Sequence, residues 1–134
     1  MIFGIGIDTI EVSRIAKQLS EDERFTHRVF TEGEIEYCEG KKHAAEHYAA
    51  RFAAKEALLK ALGTGLRGPM KWTDMEVFKD DAGKPAIRVS GHVRELVEKN
   101  GSFRIHVSLS HIKDMASAVI IIEIQGAAAG GSKT

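Results

Sequence analysis

The amino-acid sequence predicts an α+β fold in which antiparallel strands pack against one long central helix. Three observations carry this expectation. From His43 to Gly63 the chain reads HAAEHYAARFAAKEALLKALG, free of proline and rich in strong helix formers. The opening stretch, MIFGIGIDTI, alternates at the period of a strand. Two further pairs of short apolar runs, Met75–Lys79 with Ala86–Val89 and Phe103–Ile112 with Ala116–Ile124, are each joined by a polar turn and so resemble hairpins. Two segments of similar size, each a helix against antiparallel strands, would satisfy this pattern.

The chain has 134 residues, so one domain is expected, over residues 1–125. A composition of 43% hydrophobic and 28% charged residues suits a soluble globular core. Net charge is zero, which predicts no nucleic-acid partner from bulk charge. No apolar run reaches membrane-spanning length; Ile2–Ile7 ends at Asp8, too early for a span or a signal peptide. The single cysteine, Cys38, excludes an internal disulfide and fits a reducing compartment, so a cytoplasmic location is expected.

In chain order, Met1–Ile10 forms the first strand. Met1, Phe3, Ile5 and Ile7 share one face; Ile2, Gly4, Gly6, Asp8 and Ile10 share the other. The two glycines clear the surface beside Asp8, for a ligand or for a closely packed helix. Val12–Leu19 is a short amphipathic helix with Val12, Ile15, Ala16 and Leu19 inward and Arg14 and Lys17 outward. Glu21–Phe30 continues helically and adds Arg24, His27 and Arg28. This basic face is either merely solvated or a docking face for an acidic partner. Thr31 and Glu34 have capping-box spacing, and the helix they start runs to Gly40. His43 and His47, four apart, lack the glutamate of a zincin and a third ligand, so they are expected at the surface. In the long helix, Ala45, Tyr48, Ala49, Phe52 and Leu59 should form one buried stripe, on which Glu56 also falls. Gly63 ends the helix. The following loop, GTGLRGP, lacks the lysine and serine/threonine of a P-loop, but its backbone N–H groups, at Gly63 and Gly65, are candidate ligand contacts. Ser90 should cap a helix over Gly91–Lys99, stopped at Asn100-Gly101. The last two strands should form a central hairpin. The tail, residues 126–134, is expected to be disordered.

Asp8 and Glu56 are the candidate chemistry. Each is a carboxylate in an apolar or glycine-rich setting, where it is costly without a positive partner. A strand end packed under the long helix brings them within reach of one ion, and two carboxylates with open positions suit magnesium bound to substrate phosphates. An acid/base pair is the competing chemistry, and an ion pair between Glu56 and a nearby lysine is the bland one. Zinc is disfavoured for want of a cysteine–histidine cluster. Arg51, Lys55 and Lys60 supply positive charge along the same helix, with Lys60 one turn after Glu56. His111, in an apolar strand, is either a hydrogen-bonded core residue or a ligand contact.

These stretches together resemble the holo-[acyl-carrier-protein] synthases, the small class of the 4′-phosphopantetheinyl transferase superfamily. GIGIDTIE resembles the family's first motif, and RFAAKEALLKA, Arg51–Ala61, its second; Phe30-Thr31 with Glu34 resembles the FTxxE element, and SLSH, Ser108–His111, the third motif. The likeness spans Met1 to about Ile124. It implies the superfamily's fold and the transfer of 4′-phosphopantetheine from coenzyme A to the acceptor serine of apo acyl carrier protein, releasing 3′,5′-ADP. It implies Mg²⁺ held by Asp8 and Glu56, catalytic roles for Glu56 and Lys60, and cofactor contacts from Arg51, Lys60, Ser110 and His111. It also implies a homotrimer with sites at subunit interfaces, and an acidic carrier protein to meet Arg14, Lys17, Arg24 and Arg28. A metal-dependent hydrolase and a non-enzymatic module binding coenzyme A or carrier protein are the rivals.

Overall fold

In order, the chain forms β1 (Ile2–Glu11), α1 (Val12–Glu21), α2 (Glu23–Val29), α3 (Glu32–Glu39), α4 (Ala44–Leu62), a 3₁₀ turn (Trp72–Asp74), β2 (Met75–Lys79), β3 (Pro85–Val89), α5 (Gly91–Glu98), β4 (Ser102–His111) and β5 (Met115–Gln125). The structure is a computed structural model and describes residues 1–125. The tail expected to be disordered lies outside the described residues.

Two antiparallel sheets rest on α4. One has the strand order β1-β5-β4; the other is the β2-β3 hairpin. The β4-β5 hairpin forms as expected, but β5, not the pair, is central, because β1 returns to pair along its other edge from Ile2 opposite Glu123 to Glu11 opposite Met115. The two units are unequal and share one helix, so the expectation of two similar halves does not hold.

The helix is buried almost all round. β1 and β5 cover one side, and α1, α3, β2 and β4 also pack on it. Tyr48, Ala49, Ala50, Ala53, Ala54, Ala57, Leu58, Leu59 and Ala61 are all buried, which corrects the single stripe predicted for α4. Its alanines allow this, since small side chains let several elements approach one helix. Gly63 ends it at φ 81°, in the left-handed region glycine favours, with its N–H donating to the Leu59 and Lys60 carbonyls.

Gly4 and Gly6 set the distance between α4 and β1. A Cβ at Gly4 would run into the Ala61 carbonyl oxygen, and one at Gly6 into that of Ala57. The glycines thus admit the backbone of a packed helix, and that approach carries Asp8, two residues on, to the flank of α4. The α3 capping box forms in full: Glu34 N–H donates to Thr31 Oγ1 and Thr31 N–H to Glu34 Oε1. At α5 the cap is not Ser90, whose side chain makes no cap bond. Asp74 serves instead, its Oδ2 accepting from Val93 N–H at 3.4 Å and from Lys71 N–H at 3.1 Å.

Candidate active site

Asp8 faces α4 from β1, and Glu56 and Lys60 face β1 from successive turns of α4. Lys60 Nζ donates to Asp8 Oδ1 and to the Ile7 carbonyl, both at 3.0 Å. Its side chain remains 56% exposed, so it can leave Asp8 for an arriving anion. Glu56 is half-buried. Burial, then the Asp8 charge, push its carboxyl above the ordinary glutamate range, and Lys60 offsets this only in part. The bland expectation, Glu56 neutralised by a lysine, does not hold: the neighbouring lysine salt-bridges to Asp8. Two carboxylates with one exposed ammonium form a site short of positive charge. No group of three or more His, Cys, Asp or Glu among the described residues could hold a metal, so an ion here would rest on two protein ligands.

Lys55, one of the three cations noted along this helix, takes no part in that site. It points into the core, fully buried, and donates to Glu34 Oε1 at 2.7 Å and to the Val29 carbonyl at 2.6 Å. Glu34, also fully buried, accepts at Oε2 from Val77 N–H at 2.7 Å. The pair ties α3, α4, β2 and the end of α2 together, with its polar atoms met.

Arg51 belongs to a third group. Five residues before Glu56, it lies roughly 140° around the helix. Its guanidinium stacks on Tyr37 at 4.2 Å, and its Nε is buried with no hydrogen-bond partner among the described residues. It lines a cleft of about 180 Å³ with Tyr37, His47, Lys79, Gly83 and His111. Lys41 and Lys79 also approach the Tyr37 ring, at 4.5 and 5.5 Å. Burial would raise the Tyr37 phenol, but the Lys79 hydrogen bond and the surrounding cations outweigh it and lower it. His47 does not stand free at the surface as expected; it stacks edge to face between Tyr37 at 5.7 Å and His111 at 4.9 Å. Burial, then the charges of His111, Arg51 and Lys41, hold it below the ordinary histidine range.

The structure therefore brings Asp8, Glu56 and Lys60 together, and separately Arg51 and His111. Ser110 does not join His111: it is exposed, and strand alternation turns it to the opposite face of β4. Gly63 and Gly65 lie in the loop after α4 with open space where a Cβ would stand. Arg14, Lys17, Arg24 and Arg28 are exposed on α1 and α2. Sequence reasoning passed over Tyr37, Glu46, Lys79 and Gly83, which come from four separate elements and carry no local motif. Cys38 is fully buried, and burial pushes its thiol up to about 12, as befits an inert thiol.

A family model described as the 4′-phosphopantetheinyl transferase superfamily matches residues 4–120, which defines the class. A holo-[acyl-carrier-protein] synthase from Geotalea daltonii is 49% identical over 124 residues, covering 92% of this chain and 99% of the relative. Among solved structures, a holo-(acyl-carrier-protein) synthase from Bacillus anthracis, in complex with CoA (3′,5′-ADP), is 40% identical with a TM-score of 0.77 and covers 93% of this chain and 99% of that one. Its counterpart from Neisseria meningitidis is 31% identical with a TM-score of 0.82, covering 92% and 99%. The chain belongs to the holo-[acyl-carrier-protein] synthase family of this superfamily. The family's activity is the transfer of 4′-phosphopantetheine from coenzyme A to apo acyl carrier protein.

Proposed function

We propose that the chain performs this transfer with magnesium held between Asp8 and Glu56. The observation that carries the proposal is the facing pair of carboxylates, with the Glu56 carboxyl pushed upward by burial and by the Asp8 charge. Two carboxylate ligands leave most positions of an octahedral ion to water and phosphate oxygens, as magnesium prefers. Bound there, Mg²⁺ would neutralise charge on the pyrophosphate of coenzyme A. The acceptor serine oxygen forms a bond to the β-phosphorus as the bond to the departing 3′,5′-ADP breaks. The serine proton passes to Glu56 or to a water it orients. Lys60, released from Asp8, compensates the leaving phosphate.

The Arg51–His111 cleft suits the anionic far end of coenzyme A, since its orphaned guanidinium N–H calls for an acceptor. Within one chain this cleft and the carboxylate pair stand on different sides of α4. A homotrimer with sites at subunit interfaces would join them. The outer face of β1 supports such assembly: Ile5 is 64% and Ile7 60% exposed, an apolar surface beside Asp8. A cytoplasmic location fits the lone cysteine, and no helix among the described residues is long and apolar enough to cross a membrane.

The test is incubation with apo carrier protein, coenzyme A and Mg²⁺. A gain of one phosphopantetheine in carrier mass is expected. Phosphate release without carrier modification would favour a hydrolase, and a complex without product a binding module. The basic face of α1 and α2 is proposed as the carrier dock. Arg14→Glu should cut kcat/KM for carrier about tenfold or more, with coenzyme A affinity unchanged and the gap narrowed by salt. Wild-type carrier kinetics in the folded variant would remove Arg14 from the dock.

A further inference from the structure

The cleft holds one contact that the transfer chemistry leaves unexplained. His111 Nδ1 lies 2.9 Å from Glu46 Oε1, a bond between the end of β4 and the first turn of α4. Their side chains are 31% and 17% exposed. We propose that Glu46 is a positioning residue for the bound cofactor: it fixes the His111 ring so that Nε2 meets a phosphate oxygen. This rests on the reading of the cleft as the seat of coenzyme A's anionic end.

An ionised carboxylate only accepts, so Nδ1 must carry the hydrogen of this bond. In the neutral ring Nε2 is then bare and can only accept, which suits no phosphate oxygen. The imidazolium alone donates from both nitrogens, to Glu46 and to the ligand. Anion binding at Nε2 must therefore bring a proton onto His111. The other groups facing the cleft oppose that charge. Arg51 comes from α4 and Lys79 from β2, Lys41 stands over the far ring Tyr37 of α3, and His47 of α4 stacks on His111 itself. None of the described cleft-lining residues is acidic, and Glu46 at its margin is the counter-charge.

Were Glu46 only a strap between β4 and α4, an amide would serve as well. In Glu46→Gln the amide can turn its NH₂ to a bare Nδ1. The neutral ring then carries its hydrogen at Nε2 and donates to phosphate without gaining a proton. The two accounts separate in titration calorimetry with 3′,5′-ADP. The runs use buffers of differing ionisation enthalpy from about pH 6 to about pH 8.5, across the histidine range. The wild type should take up close to one proton per site in the upper part of this range, and its affinity should fall as pH rises. Glu46→Gln should lose most of that uptake, flatten the profile, and bind about tenfold more weakly at the acid end. His111→Gln should abolish the uptake, and adding Glu46→Gln to it should cost nothing more. Wild-type proton uptake in Glu46→Gln, or uptake that survives His111→Gln, would overturn the inference while leaving the cofactor cleft in place. Failure of the wild type to bind 3′,5′-ADP would instead bring down the cleft reading, and the inference with it.

Discussion

Lys55 and Glu56 are adjacent in sequence and stand in opposite chemistries. Lys55 points into the core and meets Glu34 with both side chains wholly buried. Glu56 points to β1, where its nearest charged neighbours are a second carboxylate, Asp8, and the exposed Lys60. In the first region the charges are matched and every carboxylate oxygen of Glu34 has a donor. In the second, negative charge exceeds positive and the fold leaves it so. The difference separates two uses of a buried or half-buried carboxylate. A satisfied one specifies packing, and an undercompensated one, on the proposed reading, is held ready for a ligand.

The largest effect should come from breaking the matched pair. Lys55→Met leaves the Glu34 carboxylate buried and unpaired, a loss of about 3–5 kcal/mol. Denaturant unfolding should show it, while turnover per folded molecule stays within several-fold of wild type. In the undercompensated region the reverse should hold. Asp8→Asn and Glu56→Gln should each lower turnover about 10²–10³-fold, the scale of a lost electrostatic contact in the transition state. Their unfolding midpoints should stay at or above wild type. Equal losses of stability in both sets would erase the distinction.

The approach of β1 to α4 can be strained more gently. Gly6→Ala sets a Cβ against the Ala57 carbonyl, so α4 must shift off β1. The expected cost is about 1–3 kcal/mol of overpacking, with turnover reduced as Asp8 and Glu56 move apart. Unchanged turnover in the folded variant would show that this approach does not set the site.

The smallest effect is in pH. Burial raises the Glu76 carboxyl, but the Thr31 hydroxyl and the Arg88 hydrogen bond and charge outweigh it and hold it below the ordinary range. The fold thus favours ionised Glu76, whose contribution is full above the ordinary glutamate range and is lost as pH falls through the lowered value. Glu56 has the opposite sign: its contribution is present below that range and is lost as pH rises through the raised value. Melting midpoints of wild type, Glu76→Gln and Glu56→Gln from about pH 3 to about pH 7 should diverge in those opposite directions. Parallel curves would contradict the assignment of the two carboxylates.

Much of this was legible in the sequence where the signal was local. The capping box at Thr31, the stop at Gly63 and the strand face carrying Gly4, Gly6 and Asp8 all follow from spacing. Asp8, Glu56 and Lys60 could be grouped because one strand and one helix carry them. What was hidden depends on which elements surround a helix. Lys55 read as one more cation because nothing local says that Glu34, 21 residues earlier, lies over it. Ser90 looked like a cap because Asp74, 16 residues away, is invisible at that range. Ser110 was different, since the period of two already placed it opposite His111.

The most direct test is direct metal binding. Mn²⁺ serves as a spectroscopic stand-in for magnesium, titrated into the protein with 3′,5′-ADP present, for wild type, Lys55→Met, Asp8→Asn and Glu56→Gln. Wild type and folded Lys55→Met should bind the ion alike, and the two carboxylate variants should lose it. Wild-type binding by Asp8→Asn and Glu56→Gln, or its loss in folded Lys55→Met alone, would contradict the division between the two regions.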